Sequence, residues 1–355
     1  MTIRKELLEI PAALRKMCEE GRPVYDALVR RVSWAERPVF IVAERSSHPA
    51  ALSGAWALES VLGIPVVVQH PEHFSAYTCR ALAVRSLVIV IAGQREGEET
   101  LAAATKAKAR GAIVWAVTPD PAGALAGLAD AVLNDYRGEP AGDNSRSVFC
   151  RHAVMLFLAV AAARVLKAPS AALISQEEEL GKLAQEAEWV LNQIPDAASA
   201  LAKGLSALTH LYITGGGPFY PVAIQAAERL GQTSGLLVRG FDLPDFQQAL
   251  PRFAKAGSGI LYLSSSRCGL KTQAHQSVRD ARQTGDVKIF AVTDGNDRQL
   301  SERADLAILL PIMTEPGAAL LTLVLLELVA CYAGQASSAA AGRRPSAPKP
   351  QNHAI

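Results

Sequence analysis

The chain has 355 residues and a formal net charge of +2 at neutral pH, with half of its residues hydrophobic and a fifth charged. This length allows two domains, each large enough to bury a core of its own. The charge is nearly balanced and no Lys/Arg stripe with interleaved aromatic residues is present, so nothing in the sequence supports nucleic-acid binding. We expect a folded globular protein without a nucleic-acid partner.

The cysteines do not form a metal-binding or disulfide pattern. They are odd in number, widely scattered, and lack any C-x-x-C pair, at positions Cys18, Cys79, Cys150, Cys268 and Cys331. This spacing predicts neither a zinc site nor a disulfide framework. Free thiols are typical of a reducing compartment, which indicates a cytoplasmic protein, and no metal or cofactor is expected. The opening stretch, Met1 to Glu20, is charged and helical, unlike a secretory leader.

Two apolar runs resemble membrane spans at first sight. Ala153 to Ala163 is too short to cross a bilayer, and Gly317 to Gly334 carries Glu327 in its middle. We therefore interpret both as buried helices of a core or a subunit interface, and expect no membrane partner.

In chain order, the pattern predicts a helical arm over 1–35, an α/β domain over 36–170, a helical connector over 171–205, a second α/β domain over 206–336 and a tail over 337–355. The tail is rich in Ala, Pro and Ser, which predicts disorder. Short β-branched runs alternate with helical stretches in each domain, which is typical of a parallel sheet covered on both faces. The strands predicted for the first domain are Val39–Ala43, Ile64–Gln69, Leu87–Ala92, Ile113–Thr118 and Ala131–Leu133. Those predicted for the second are Leu211–Thr214, Leu236–Val238, Gly259–Leu263, Val287–Thr293 and Leu306–Leu310.

The two domains repeat each other at an offset of about 172 residues. Phe40 to Pro49 aligns without a gap with Tyr212 to Pro221, and the strand from Leu87 falls on the strand from Gly259. Farther on, the pair Glu139-Pro140 matches Glu315-Pro316 with a slip of a few residues. This period is too long for a solenoid, so it indicates a duplicated domain with a site at or along the seam.

Ligands of open parallel sheets bind beyond the carboxyl ends of strands, where helix N-termini offer N–H groups to an anion. Loops at these places carry the candidate binding residues, which are Ser46, Ser47, Gln94, Arg95, Thr100, Ser264, Ser265, Ser266 and Arg267. A single serine at such a place is more often an ordinary helix cap. The binding role is favoured because each domain has two Ser-bearing or Gly-bearing turns, both at strand ends. The loop Ser264–Gly269 of the second domain has Arg267 and Lys271 beside its serines and no acidic residue. It is therefore predicted to be a better anion site than the loops of the first domain. The triple glycine at 215–217 lacks the third glycine of a dinucleotide fingerprint, which argues against nicotinamide binding.

These residues resemble those of the double sugar-isomerase (SIS) proteins, which include the isomerase half of glucosamine-6-phosphate synthase and the fructosamine-6-phosphate deglycases. The most specific match is the segment Gly215 to Ala223 (GGGPFYPVA), which is similar to the family's G-R-G-x-x-Y-P-x-A. Further matches are Glu6 to Pro11 near the start and Gly342 to Lys349 near the end. The resemblance implies two flavodoxin-like, doubly wound SIS domains and a phosphorylated amino sugar or ketose as ligand.

The chain departs from the family pattern at the positions that carry chemistry. Aldose–ketose isomerisation needs a base, and the family's glutamate falls on Gln232, an amide without useful basicity. The family's ring-opening histidine is replaced by Asp242, and its C-terminal lysine falls on His353. In the first domain's second loop, Glu96, Glu98 and Glu99 would repel a phosphate unless Arg45 or Arg95 offsets them.

The sequence therefore predicts a cytoplasmic, homodimeric or larger phosphosugar-binding protein with an eroded catalytic set and a possible regulatory role. One alternative is an active phosphosugar isomerase or deglycase that uses Asp242, His353 or a nearby glutamate for acid–base chemistry. Another is a non-catalytic subunit that holds a protein partner.

Overall fold

The computed structural model describes residues 3–34, 38–93, 96–138, 145–166, 171–253 and 255–341. The chain opens with three short helices, of which the second passes directly into a π-helical segment, Met17–Gly21. Leu7, Ile10 and Leu14 of this arm are fully buried, so it packs on the body. The helices are α1 (Ile3–Leu7), α2 (Ile10–Lys16) and α3 (Arg22–Val29).

The first lobe is a five-stranded parallel sheet in the order β2-β1-β3-β4-β5. Its central strands are buried on both faces, because their β-branched runs fill the space between two helical layers. The strands are β1 (Val39–Ala43), β2 (Val66–Gln69), β3 (Leu87–Ile91), β4 (Ile113–Val117) and β5 (Ala131–Leu133). The helices are α4 (His48–Leu62), α5 (Pro71–Ala76), α6 (Glu98–Ala109), α7 (Ala124–Leu128) and α8 (Ser145–Val165).

Two helices, α9 (Ala171–Gln193) and α10 (Pro195–Leu205), connect the lobes. The second lobe is again a parallel sheet, in the order β10-β9-β8-β6-β7, and this is the same topology when each strand is matched to its counterpart in the repeat. Its strands are β6 (His210–Gly215), β7 (Leu237–Asp242), β8 (Ser258–Leu263), β9 (Lys288–Asp294) and β10 (Leu306–Leu310). Its helices are α11 (Phe219–Ser234), α12 (Leu243–Phe253), α13 (Lys271–Thr284), α14 (Arg298–Ser301) and α15 (Glu315–Ala341).

The predicted fold class, two doubly wound lobes related by duplication, is confirmed. Most strand ends lie within two residues of the prediction, and two elements extend farther. Strand β7 continues to Asp242, four residues beyond its predicted end, and α15 continues to Ala341, into the segment predicted as a disordered tail. Residues 342–355, which include the C-terminal family motif and His353, lie outside the described residues.

The largest core lies between the two sheets. One face of each sheet packs on a central layer that includes α4, α8, α11 and α15, while the outer faces are covered by separate helices and smaller cores. Helices α8 and α15 are long and apolar enough to cross a membrane, yet most of each is buried inside this layer. Their apolar surfaces are thus used to join the lobes.

Candidate functional site

Each lobe has one point where the strand order reverses, between β1 and β3 in the first and between β6 and β8 in the second. The inner helix of the opposite lobe approaches each point. Glu228 of α11 pairs with Arg45 in the loop after β1, at 3.6 Å between Arg45 Nε and Glu228 Oε1. Trp56 and Ser60 of α4 line a cavity at the loops after β6 and β8. The molecule therefore has two pseudo-symmetric crevices between its lobes.

In the first crevice, the predicted binding serine Ser47 is used for structure. It is fully buried, its hydroxyl donates to the Ala92 carbonyl at 3.2 Å, and it accepts a hydrogen bond from Arg151 at 2.9 Å. Ser46 is half-buried, and the Thr100 hydroxyl is buried without a hydrogen-bond partner among the described residues. Gln94 and Arg95, two further predicted ligands, lie outside the described residues.

Glu44, which was not among the predicted site residues, fills part of the first crevice. Its carboxylate lies against the Cα atoms of Gly93 and Gly97, so that any side chain at Gly93 would collide with it. Glu98 and Glu99 stand in the first turn of α6 next to it. Glu96 is directed elsewhere, since its carboxylate accepts hydrogen bonds from the Thr118 hydroxyl and the Leu125 N–H. The crevice is thus acidic, which is unfavourable for a phosphate dianion.

Two of the positions that correspond to the family's catalytic residues lie in α11 and at the end of β7. Gln232 is exposed in the last turn of α11, where its amide donates to Glu228 at 3.4 Å. Asp242 is half-buried at the end of the edge strand β7, and its carboxylate accepts the Leu243 N–H at 2.9 Å. Burial raises the pKa of Asp242, and the neighbouring Asp245 raises it further.

The predicted anion loop of the second lobe has a different environment from the one its sequence indicates. Ser264 and Ser265 are buried, and the backbone N–H and hydroxyl of Ser266 both donate to Asp294, at 2.8 and 3.0 Å. Arg267 donates to Glu179 of α9 at 3.3 Å, and half of its side chain stays exposed. The loop itself has no acidic residue, but tertiary packing brings these carboxylates to it.

A cavity of about 660 Å³ opens in the second crevice. Its walls are mainly apolar, with a few polar groups from both loops and from the start of α15. The lining residues are Trp56, Ser60, Gly217, Pro218, Arg267, Gly269, Leu270, Thr314, Glu315 and Pro316. A concave, largely apolar site with a few polar groups is the usual form of a small-molecule pocket.

Glu315 is the acidic group of this cavity. Its Oε1 accepts the Gly269 N–H at 3.3 Å, and it lies close to Gly217, whose φ of 56° places the glycine loop in the left-handed region. Burial raises the pKa of Glu315. Burial and the nearby Glu315 also raise the pKa of Cys268 to about 12, so this thiol stays protonated. The Glu-Pro pair that recurs in the repeat was the sequence signal for this residue.

The first of the two lobes is similar to a known protein family. Residues 34–164 match the sequence profile of the SIS domain. This match spans the first lobe, and the second lobe repeats its strand order.

Curated relatives extend the similarity over both lobes. The chain is 25% identical over 343 residues to a glutamine–fructose-6-phosphate aminotransferase (isomerizing) of Gloeobacter violaceus, and 25% identical over 345 residues to that of Chlorobaculum tepidum. Each alignment covers 92% of this chain and 54% of the relative, so the chain spans about half the length of the curated relatives it matches.

Solved structures share the fold across nearly the whole chain. The C-terminal domain of glucosamine-fructose-6-phosphate aminotransferase from Francisella tularensis superposes with a TM-score of 0.83 at 16% identity, covering 95% of this chain and 96% of that one. Tagatose-6-phosphate ketose/aldose isomerase from Escherichia coli gives 0.76 at 14% identity, with coverages of 96% and 94%. Glucosamine-6-phosphate deaminase from Thermotoga maritima gives 0.73 at 16% identity, with 95% of each chain covered.

Proposed function

We propose that this protein binds a phosphorylated sugar in the cavity of the second crevice and lacks the isomerase chemistry that depends on the family's base position. The observation that carries the proposal is the contrast between the two crevices. In the first, Glu44 occupies part of the space and the family's base position on the neighbouring helix α11 holds the amide Gln232, whereas the second has an open cavity lined by Trp56, Arg267 and Glu315. The relatives that act on sugar phosphates support the ligand class.

The cavity offers one group for each part of such a ligand. The Arg267 guanidinium, held by Glu179 and half exposed, can bind a phosphate through two parallel hydrogen bonds. The Trp56 indole, which is 40% exposed, can pack on the C–H face of a sugar ring. The Glu315 carboxyl can accept a hydroxyl or ammonium hydrogen. Binding and release of a sugar phosphate in the cytoplasm fit a sensing or regulatory role, and we expect the protein to act as a homo-oligomer.

Trp56 provides a direct test of binding at this cavity. We expect fructose 6-phosphate or glucosamine 6-phosphate to change the tryptophan fluorescence of the wild-type protein. The same change should occur in the control variant Trp189→Phe, because Trp189 is as exposed as Trp56 but lies outside the cavity. The change should be lost in Trp56→Phe. Arg267→Gln should weaken binding by about tenfold or more, because a charge-assisted bond is removed.

A thermal-shift screen with sugar phosphates distinguishes binding at this cavity from binding elsewhere and from no binding. If sugar phosphates stabilise the protein but Arg267→Gln and Trp56→Phe bind them normally, the ligand lies elsewhere. If no sugar phosphate stabilises the wild type, the proposed function is wrong, and the role of holding a protein partner is favoured instead.

Glu315 supports a second candidate, an isomerase that uses this carboxylate in place of the family's base. In this reaction the carboxylate takes the proton from C2 of the open-chain aldose, whose C–H electron pair forms the C1=C2 bond while O1 gains a proton. The O2–H proton then leaves, the C2=O2 carbonyl forms, and the proton on Glu315 is delivered to C1.

NMR in D₂O tests this candidate, because base-mediated transfer exchanges the migrating hydrogen with solvent. Interconversion of fructose 6-phosphate and glucose 6-phosphate with deuterium incorporation, lost in Glu315→Gln and kept in Asp242→Asn, would establish it. Absence of turnover in a wild-type protein that binds the sugar phosphate would contradict it and leave the binding role intact.

A further inference from the structure

A second pocket, of about 480 Å³, lies on the outer side of the second lobe. It is bounded by the start of α13 and by the segment that joins β9 to α14. Every lining residue is polar or charged, and the set comprises Ser266, Lys271, Thr272, His275, Arg279, Asn296, Asp297, Arg298 and Gln299. The loop between β8 and α13 separates this pocket from the crevice, since Ser266 and Lys271 line one side and Arg267 and Gly269 the other.

Three permanent cations of this pocket have no carboxylate at ion-pair distance within the described ranges. Lys271 Nζ donates to the Ser266 carbonyl at 2.7 Å, and Arg279 donates to the Gln276 side-chain amide oxygen at 2.5 Å. Arg298 is exposed at the start of α14. By contrast, Arg282 on the same helix α13 pairs with Asp305 at 3.1 Å.

The acidic groups nearby are buried and already engaged. Asp297 is 4% exposed and binds His275 Nε2 at 2.6 Å and the Thr293 hydroxyl at 3.2 Å. Asp294 is 2% exposed and accepts both hydrogen bonds from Ser266. The open surface of the pocket is therefore cationic. Binding of an anion there would reduce the electrostatic repulsion among the three cations.

We propose that this pocket binds a small polyanion that carries phosphate groups. Two guanidinium groups and one ammonium group match the oxygens of a phosphate in charge and in hydrogen-bond geometry. The only ring in the lining belongs to His275, which is 12% exposed and bonded to Asp297, and no aliphatic side chain lines the pocket. The lining therefore favours a sugar phosphate, a free phosphate or a pyrophosphate over a ligand that must stack a nucleobase. This site is independent of the ligand in the cavity, although the two share the loop between β8 and α13.

Isothermal titration of the full chain with pyrophosphate at physiological ionic strength tests the proposal. We expect saturable binding of one pyrophosphate, weakened by about tenfold or more in Arg279→Gln/Arg298→Gln, because two charge-assisted contacts are lost. No side-chain hydrogen bond joins either arginine to the loop between β8 and α13 in the described structure, so the ligand response detected through Trp56 should be kept in this variant. Lys203→Gln/Arg252→Gln removes the same net charge from exposed positions outside the pocket and is the matched control.

The ligand arms are inorganic phosphate, pyrophosphate, glucose 6-phosphate and citrate. Tighter binding of glucose 6-phosphate than of inorganic phosphate identifies a sugar phosphate, and the reverse order identifies the free anion. Citrate that binds as well as pyrophosphate would overturn the assignment to phosphate. Non-saturable binding, or an equal loss in the control variant, would overturn the site itself.

Discussion

Four pairs of residues at matched places in the repeat account for the difference between the crevices. At the 172-residue offset, Glu44 and Arg45 of the first lobe fall on Gly216 and Gly217 of the second. The Glu44 side chain occupies part of its crevice and Arg45 pairs with Glu228 of α11, while the two glycines leave space for a cavity. By the same offset, Trp56 and Ser60 correspond to Glu228 and Gln232. Single side chains thus decide which of two equivalent folds is open to a ligand.

Reasoning from the sequence found some of these residues and missed others for a physical reason. The loss of a base at Gln232 follows from residue type alone, since an amide has no basicity at any neutral pH. Ser47 was predicted as a ligand contact, yet its hydroxyl bonds the Ala92 carbonyl and Arg151. The serine's partners come from β3 and α8, and chain-local patterns carry no information about groups so far away.

His152 gives a prediction about pH. It is fully buried between the lobes, where Ser53 Oγ lies 2.8 Å from its Nδ1, and burial, with Arg151 adding to the effect, lowers its pKa to about 3. In the unfolded chain the histidine pKa is near 6.5, so below this pH the unfolded chain binds a proton that the folded protein does not. Protonation therefore favours unfolding, and the free energy of unfolding decreases as the pH falls from 6.5 toward 3. Urea unfolding should show a loss of about 2 kcal/mol between pH 6.5 and 5 from this residue.

The variant His152→Gln should lack this part of the pH dependence, while His73→Gln, at an exposed histidine, should retain it. His48, whose pKa is lowered to about 4 by burial and by the stacked His70, adds a second contribution that both variants keep. An unchanged pH slope in His152→Gln would contradict the buried neutral state.

At the scale of elements, the contact between β7 and α11 depends on a glycine. A Cβ at Gly240 would lie 2.6 Å from the Ala223 carbonyl oxygen and 2.7 Å from the Ile224 Cα, both backbone atoms of α11. Backbone cannot move aside as a flexible side chain can. The prediction ended this strand at Val238, four residues before its end at Asp242, because Arg239 and Gly240 interrupt the apolar run. Helix α12, which follows it, was not predicted.

Gly240→Ala should therefore destabilise the protein by about 1–3 kcal/mol, because it overpacks a fixed contact. Gly231→Ala is the matched control, since Gly231 lies inside α11 with only the Leu236 carbonyl oxygen at 3.9 Å near its Cβ position. Removing a glycine from a helix interior should raise stability by up to about 1 kcal/mol. Equal effects of the two substitutions on the urea midpoint would refute this account of the β7–α11 contact.

At the scale of the whole molecule, a buried polar cluster joins both lobes to the N-terminal arm. Glu327 of α15 is 1% exposed and accepts hydrogen bonds from Ser145 of α8 at 2.5 Å and from Arg229 of α11 at 3.2 Å. Glu6 of α1 is buried near the same arginine. Burial raises the pKa of Glu327 in spite of Arg229. The cluster specifies how four separate helices meet in an otherwise apolar layer.

Removing one member of the Arg229–Glu327 pair should destabilise the protein more than removing both members. Arg229→Met leaves Glu327 buried without its cation and should cost about 3–5 kcal/mol, whereas Arg229→Met/Glu327→Leu should recover much of the loss. Urea unfolding measures both values. Arg15→Met, which breaks the exposed pair with Glu188, should cost less than about 1 kcal/mol. A double variant less stable than Arg229→Met would show that the cluster contributes net stability.

Local patterns along the chain are enough to predict two parallel α/β lobes of one design. Strand and helix periodicity act over a few residues, and the repeat at 172 residues is visible without coordinates. Three properties depend instead on packing between distant segments: which crevice stays open, where Glu315 lies, and which cations have no carboxylate nearby in the described part of the chain. These properties depend on groups brought together from distant segments, such as Glu44 with Gly93 or Glu315 with Gly269, and packing rather than local pattern places them.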